Sequence, residues 1–241
     1  MKRLGELDDP RRRILIQALA AGFFSSAGGA AAQSIFGSAP AKLPFGQSIY
    51  RMSGRVLVNS EPATLRTRIN PGDTVETAGD GEVIFVVGEN AFILRGGSRV
   101  VIDIPPRNSV LASALRLITG KLLSVFAKGR PTRIVTATAT IGIRGTGVYA
   151  ETDPEQTYFC TCYGVADIAA INDPQSTETV AATHHNRPLY ILAKGTSGGI
   201  IRPAPFINHT DPELMLIESL VGRTPPFVFP MDIYNAPRRD Y

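Results

Sequence analysis

The sequence predicts an all-β domain, sandwich- or solenoid-like and largely antiparallel, followed by a short C-terminal helix and an extended tail. Three observations lead there. Apolar, strand-length runs recur with turn residues between them about every 8–12 positions. Segments with helical apolar spacing are scarce, which excludes an alternating βαβ sheet. The 23 glycines and 18 prolines among the 241 residues cluster between the runs, with Asn and Asp, where tight turns need them.

Residues 1–32 read as an export leader. Arg11-Arg12 with Ile14-Leu15 is similar to a twin-arginine signal, and 14–32 is an uncharged run rich in Ala and Gly. It closes on Ala30-Ala31-Ala32, a small-residue pattern suited to signal peptidase, so Gln33 is the expected mature N-terminus. Gln17, Ser25 and Ser26 make the run a poor membrane span. The mature chain is therefore expected in the periplasm, meeting the membrane only through an uncleaved signal. Five of the 25 basic and three of the 21 acidic residues fall in the leader, leaving 20 and 18, a net charge of +2. That balance is too slight for a nucleic-acid footprint, and nucleic acid is excluded as a partner.

Residues 33–45 form a Pro-containing lead-in, and the β domain is expected over 46–200. Strands are read at 49–58, 74–77, 83–87, 91–94 and 99–104. Asn70-Pro71-Gly72-Asp73, Ala78-Gly79-Asp80-Gly81, Gly88-Glu89-Asn90 and Gly96-Gly97 punctuate them. Pro105-Pro106 interrupts the series. Apolar residues at 110, 111, 114, 115, 117 and 118 suggest a short helix over 109–118, before a strand at 121–128 and a turn at Gly129-Arg130-Pro131. Further strands are expected at 133–143, 147–152, 157–163, 165–171, 178–183 and 188–193. In 201–241, Thr210 or Asp211 caps a helix with Pro212 at its start, running to Gly222. Pro225, Pro226, Pro230 and Pro237 then make an arm, which Phe227 and Phe229 should draw onto the β core.

An ordered series of short motifs runs from Gly46 to Ile171. It comprises Gly54-Arg55-Val56, the segment Ile69-Asn70-Pro71-Gly72-Asp73-Thr74-Val75-Glu76-Thr77, the strand opened by Gly81, and Leu117-Ile118-Thr119-Gly120-Lys121-Leu122. Val135-Thr136 then leads to Arg144-Gly145-Thr146-Gly147-Val148-Tyr149, and Tyr163-Gly164-Val165 closes the series. In order and spacing these motifs resemble the FecR-domain family of bacterial periplasmic proteins. The resemblance implies a mainly β domain used in envelope signalling or scaffolding, with no catalytic role. The family's membrane-bound regulators carry a cytoplasmic anti-sigma domain ahead of a transmembrane helix. With about ten residues before Arg11-Arg12, that activity is not expected to carry over. Arg144, Gly145 and Thr146 are read as a structural corner: Gly145 supplies backbone freedom, and its neighbours bond carbonyls or acidic groups.

Chemistry is expected at Cys160 and Cys162, the two cysteines of the chain. Spaced i and i+2 on a strand, they share a face. Their Cα atoms would lie about 6.5–7 Å apart, at the upper limit for a disulfide. As thiolates they could hold zinc, copper or iron with further donors, and His184 or His185 is near enough in sequence to supply one. Adjacent strand residues face opposite ways, so both histidines are not expected to join. Burial as small core residues is the third reading. His209 reads as a surface or capping residue. No Ser-His-Asp order, phosphate loop or HExxH helix occurs, so no enzyme is expected. The leading expectation is a non-enzymatic periplasmic module that binds an envelope protein or small ligand, and the alternative is a metal-binding or thiol-redox protein.

Overall fold

The computed structural model describes residues 40–104 and 113–227. The leader, most of the lead-in, Pro105-Pro106, 109–112 and the arm beyond 227 lie outside them. Among the described residues, fourteen strands and one helix follow in order. They are β1 (Ile49–Ser53), β2 (Val56–Val58), β3 (Glu61–Pro62), β4 (Thr74–Thr77), β5 (Glu82–Val87), β6 (Asn90–Leu94) and β7 (Arg99–Asp103). Then come β8 (Ser113–Val125), β9 (Pro131–Val135), β10 (Ala139–Thr152), β11 (Gln156–Ala170), β12 (Thr177–Ala182), β13 (Leu189–Thr196), β14 (Gly199–Pro203) and the helix α1 (Asp211–Leu220). The all-β class is the one the sequence predicts.

All fourteen strands belong to one hydrogen-bonded sheet, but three long strands change neighbours halfway along. β8 pairs first with β7 and β9, then with β6 and β10. β10 pairs first with β9 and later with β8, and β11 pairs first with β13 and later with β12. The sheet therefore folds into two halves that share β8, β10 and β11, a sandwich whose corners are strands passing between layers. Gly120, Gly145 and Gly164 sit at these changeovers with φ of +89°, +62° and +91°. A Cβ on Gly145 would lie 2.6 Å from the Lys128 Cα, and one on Gly164 would lie 2.3 Å from the Thr146 Cγ2. Only glycine fits such a bend. The β8–β9 pair is parallel, and the other pairings are antiparallel.

One large core, including Phe85, Phe92, Leu122, Ile141, Phe159 and Ile168, draws side chains from both halves and fills the space between them. A second apolar cluster lies on the other face of β5, β6, β8, β10 and β11, where Leu214, Ile217 and Leu220 of α1 cover it. Along β6, Ala91 and Ile93 join the α1 side while Phe92 and Leu94 join the inner core, the strand's period of two made visible. Burial on both faces explains why these strands read as continuous apolar runs.

Four expectations are corrected. Residues 114–118 belong to β8 rather than a helix, because pairing with β7 and β9 decides what a short apolar run leaves ambiguous. The strands expected on either side of Gly145 are one bulged strand, as are those flanking Gly164. Of the corner residues, Arg144 does reach an acidic group, forming an ion pair with Asp167 on β11 and holding that carboxyl below its usual range. Thr146, by contrast, is fully buried and its hydroxyl has no hydrogen-bond partner among the described residues.

Candidate metal centre

β11 sets the site. Cys160 and Cys162 both point to its α1 side, as the strand period requires, and both are 0% exposed. The loop after β12 returns along the same edge, pinned where the His185 N–H donates to the Cys162 carbonyl at 2.9 Å. His185 adopts a left-handed backbone, φ +50°, which is costly for a residue with a Cβ and turns its ring under the loop toward the cysteines. The segment entering α1 supplies the rest. Asn208 is also left-handed, φ +61°, and delivers His209, whose ring stacks on Tyr149 at 4.4 Å with Phe206 edge-on at 4.6 Å. His209 is fully buried, so the surface or capping role read from the sequence is corrected.

The sulfurs of Cys160 and Cys162, a nitrogen of His185 and a nitrogen of His209 all lie within 4.8 Å of one another. The Cys160 Sγ is 3.5 Å from the His185 Nδ1, and the His209 Nε2 is 3.1 Å from that same nitrogen. For a tetrahedral ion with bonds of about 2.3 Å to sulfur and about 2.05 Å to nitrogen, the edges would be about 3.5 Å for S–N and about 3.3 Å for N–N. The spacing fits one ion. It is too tight for a two-iron cluster with cysteines on one iron and histidines on the other.

The outer hydrogen bonds fix the lone pairs. His185 donates through Nε2 to the Asp211 Oδ1 at 2.9 Å, and His209 donates through Nδ1 to the Ile207 carbonyl at 2.7 Å. A carbonyl and a carboxylate only accept, so each ring keeps its proton on the remote nitrogen. Two bare nitrogens then face each other across 3.1 Å, an arrangement that a cation between them resolves. Without an ion, a proton must stand in. Burial works against a charged His185, but hydrogen bonds to Asp211 and Cys160 outweigh it and push its pKa up to about 9. Burial holds His209 below its ordinary value. Cys160 is pulled well below the usual thiol range, burial being outweighed by hydrogen bonds from Cys162, His185 and His209, whereas burial and the neighbouring Cys160 push Cys162 up.

Of the sequence-predicted ligands, the structure brings together Cys160, Cys162 and His185. His184 stands apart, 42% exposed, with its Nε2 on the Asp211 Oδ2 at 2.8 Å. Asp211 thus bridges both histidines while itself only 1% exposed. Burial works against its charge, but the two imidazoles hold its carboxyl below the ordinary range. His209 and Asp211 were not marked as site residues by the sequence reading. The signal for them was an Asn-His-Thr-Asp run immediately before a helix, which reads equally well as capping. The capping is real too: the Glu213 carboxylate accepts from the Thr210 N–H at 3.0 Å.

Comparison with known proteins returns no matching family model and no curated protein. Two crystal structures of a candidate anti-sigma factor from Parabacteroides distasonis, at 1.65 and 2.50 Å resolution, are similar in part. Identity is 13% in both, over 54% of this chain, with TM-scores of 0.43 and 0.42. The overlap spans 58% and 57% of those chains, a little over half their length.

Proposed function

We propose that this chain is an exported, non-enzymatic FecR-like β module whose ligand is a single zinc-type ion held by Cys160, Cys162, His185 and His209. The convergence of two buried thiols and two imidazole lone pairs at tetrahedral spacing carries the metal reading. Two thiolates neutralise a dication, so the charge is compensated where water is excluded. A tetrahedral S2N2 set suits zinc better than copper(II), which prefers tetragonal nitrogen and oxygen donors. All four positions come from the protein, the mark of a structural rather than a catalytic site. The export, the periplasmic location and a role in envelope signalling or assembly, through an envelope protein or small ligand, rest on the leader and the ordered motif series.

The test is metal analysis of full-length protein purified from its native compartment, followed by cobalt(II) substitution. One equivalent of metal and the visible spectrum of tetrahedral, thiolate-bound cobalt are expected. Protein without metal that also takes up no cobalt would sink the metal reading. Finding the full-length, unprocessed chain in the cytoplasm would end the export reading.

A further inference from the structure

The four donors are unevenly distributed along the chain. Cys160 and Cys162 belong to the sheet and His185 to a loop hydrogen-bonded to it. The fourth donor, His209, and the carboxylate that orients His185, Asp211, both lie on the segment that leads into α1. Building on the metal reading above, we infer that the bound ion ties residues 204–213 to the sheet, so that metal occupancy sets whether this segment is closed over the face of β10 and β11.

The rest of that segment's attachment is strongest at its far end, where the Asn208 Nδ2 donates to the Glu151 Oε1 at 2.7 Å and Arg95 donates to the Asn208 carbonyl at 3.2 Å and to the Glu213 carboxylate at 3.1 Å, and it is lighter around Phe206. The Ala204 N–H donates to the Pro188 carbonyl at 2.9 Å, and Tyr158 bridges the Pro205 carbonyl and the Ile207 N–H at 3.0 and 3.3 Å. Phe206 packs largely on the two metal-site rings, His185 and His209, rather than into the inner core. Removing the ion takes one restraint from each left-handed turn, at His185 directly and at Asn208 through its neighbour His209, while the His185 N–H bond to the Cys162 carbonyl and the Asn208 bond to Glu151 remain. It also leaves buried sulfurs and nitrogens to be satisfied by protons alone. The C-terminal half of α1 is held independently. Leu214, Ile217 and Leu220 are buried, and Glu218 accepts from Tyr163 and from the Arg223 Nε. Metal loss should therefore loosen 204–213 and the 183–187 loop while the helix end and the sheet stay folded.

Amide hydrogen exchange on the full chain tests this, with metal content measured on the same samples before and after chelation. Exchange of the 204–213 and 183–187 amides should quicken by about tenfold or more on metal removal, with β1 to β7 unchanged, and added zinc should restore protection. His209→Ala should reproduce the loosened pattern even with zinc present. Two results overturn the inference while leaving the metal reading intact: metal that is bound and removable with no change in exchange at 204–213, or a loss of protection spread evenly over the whole sheet. Protein that binds no metal overturns the metal reading itself, and this inference with it.

Discussion

Asp211→Asn separates orientation from ligation. Asp211 is not one of the four donors of the proposed site, yet its two oxygens accept from the His185 Nε2 at 2.9 Å and the His184 Nε2 at 2.8 Å. Asparagine keeps the shape but offers one oxygen and an NH2 group, so one of the two imidazole N–H groups must face a donor. His184, being half-exposed, can turn to water, whereas His185 is 5% exposed and cannot. The retained oxygen should therefore serve His185, now through a neutral rather than a charged acceptor. Loss of such an outer partner typically weakens metal binding about 10–100-fold, or about 1.4–2.8 kcal/mol. Competition against a chromogenic zinc chelator at fixed pH and salt measures it, with Cys160→Ser, which removes a ligand, falling well below both. If Asp211→Asn binds zinc as tightly as the native chain, or as poorly as Cys160→Ser, the outer-partner reasoning is refuted.

Further outcomes follow from the packing and the protonation states. Gly164→Ala should cost about 2 kcal/mol or more in denaturant unfolding, because φ is +91° and the new Cβ meets the Thr146 Cγ2 at 2.3 Å; an unchanged midpoint would mean that the β11 bend tolerates a side chain. Ile217→Ala, at a fully buried position under α1, should cost about 2–5 kcal/mol by the same measurement. In metal-free protein the His185 pKa is raised above its unfolded value of 6.5 to about 9, so its own contribution is complete below about pH 6.5 and lost as pH rises through 9. The lowered Cys160 thiol acts with the opposite sign, gaining as pH rises, so the two offset each other in the native chain. His185→Gln should remove the falling part from the pH profile of metal-free stability. With zinc present stability should rise with pH, since protons compete with the ion for thiolates and imidazoles. An identical pH profile with and without zinc would speak against the site.

How much of this was legible depended on the range of the interaction. The shared face of Cys160 and Cys162 follows from a period of two and needs no tertiary information. The choice between His184 and His185 did not follow from strand parity, because His185 lies in a loop with positive φ, where alternation no longer applies. His209 was out of reach: its place depends on the chain returning from β14 across the α1 side of β10 and β11. The long strands were misread for a related reason. Gly145 and Gly164 look like turn punctuation, and only cross-strand pairing reveals that they bend a strand that continues. The helix was legible from Thr210, Pro212 and Gly222 because capping is local.

The order of the donors along the chain has one more implication. A polypeptide cut short between residues 203 and 209 contains all fourteen strands and both cysteines, but it lacks the last donor and the carboxylate behind His185. All four donors of the proposed site are present only in a chain that extends past residue 209, and the carboxylate behind His185 only in one that reaches residue 211. Metal retention at that site would therefore separate chains that reach residue 211 from shorter ones that share the same sheet.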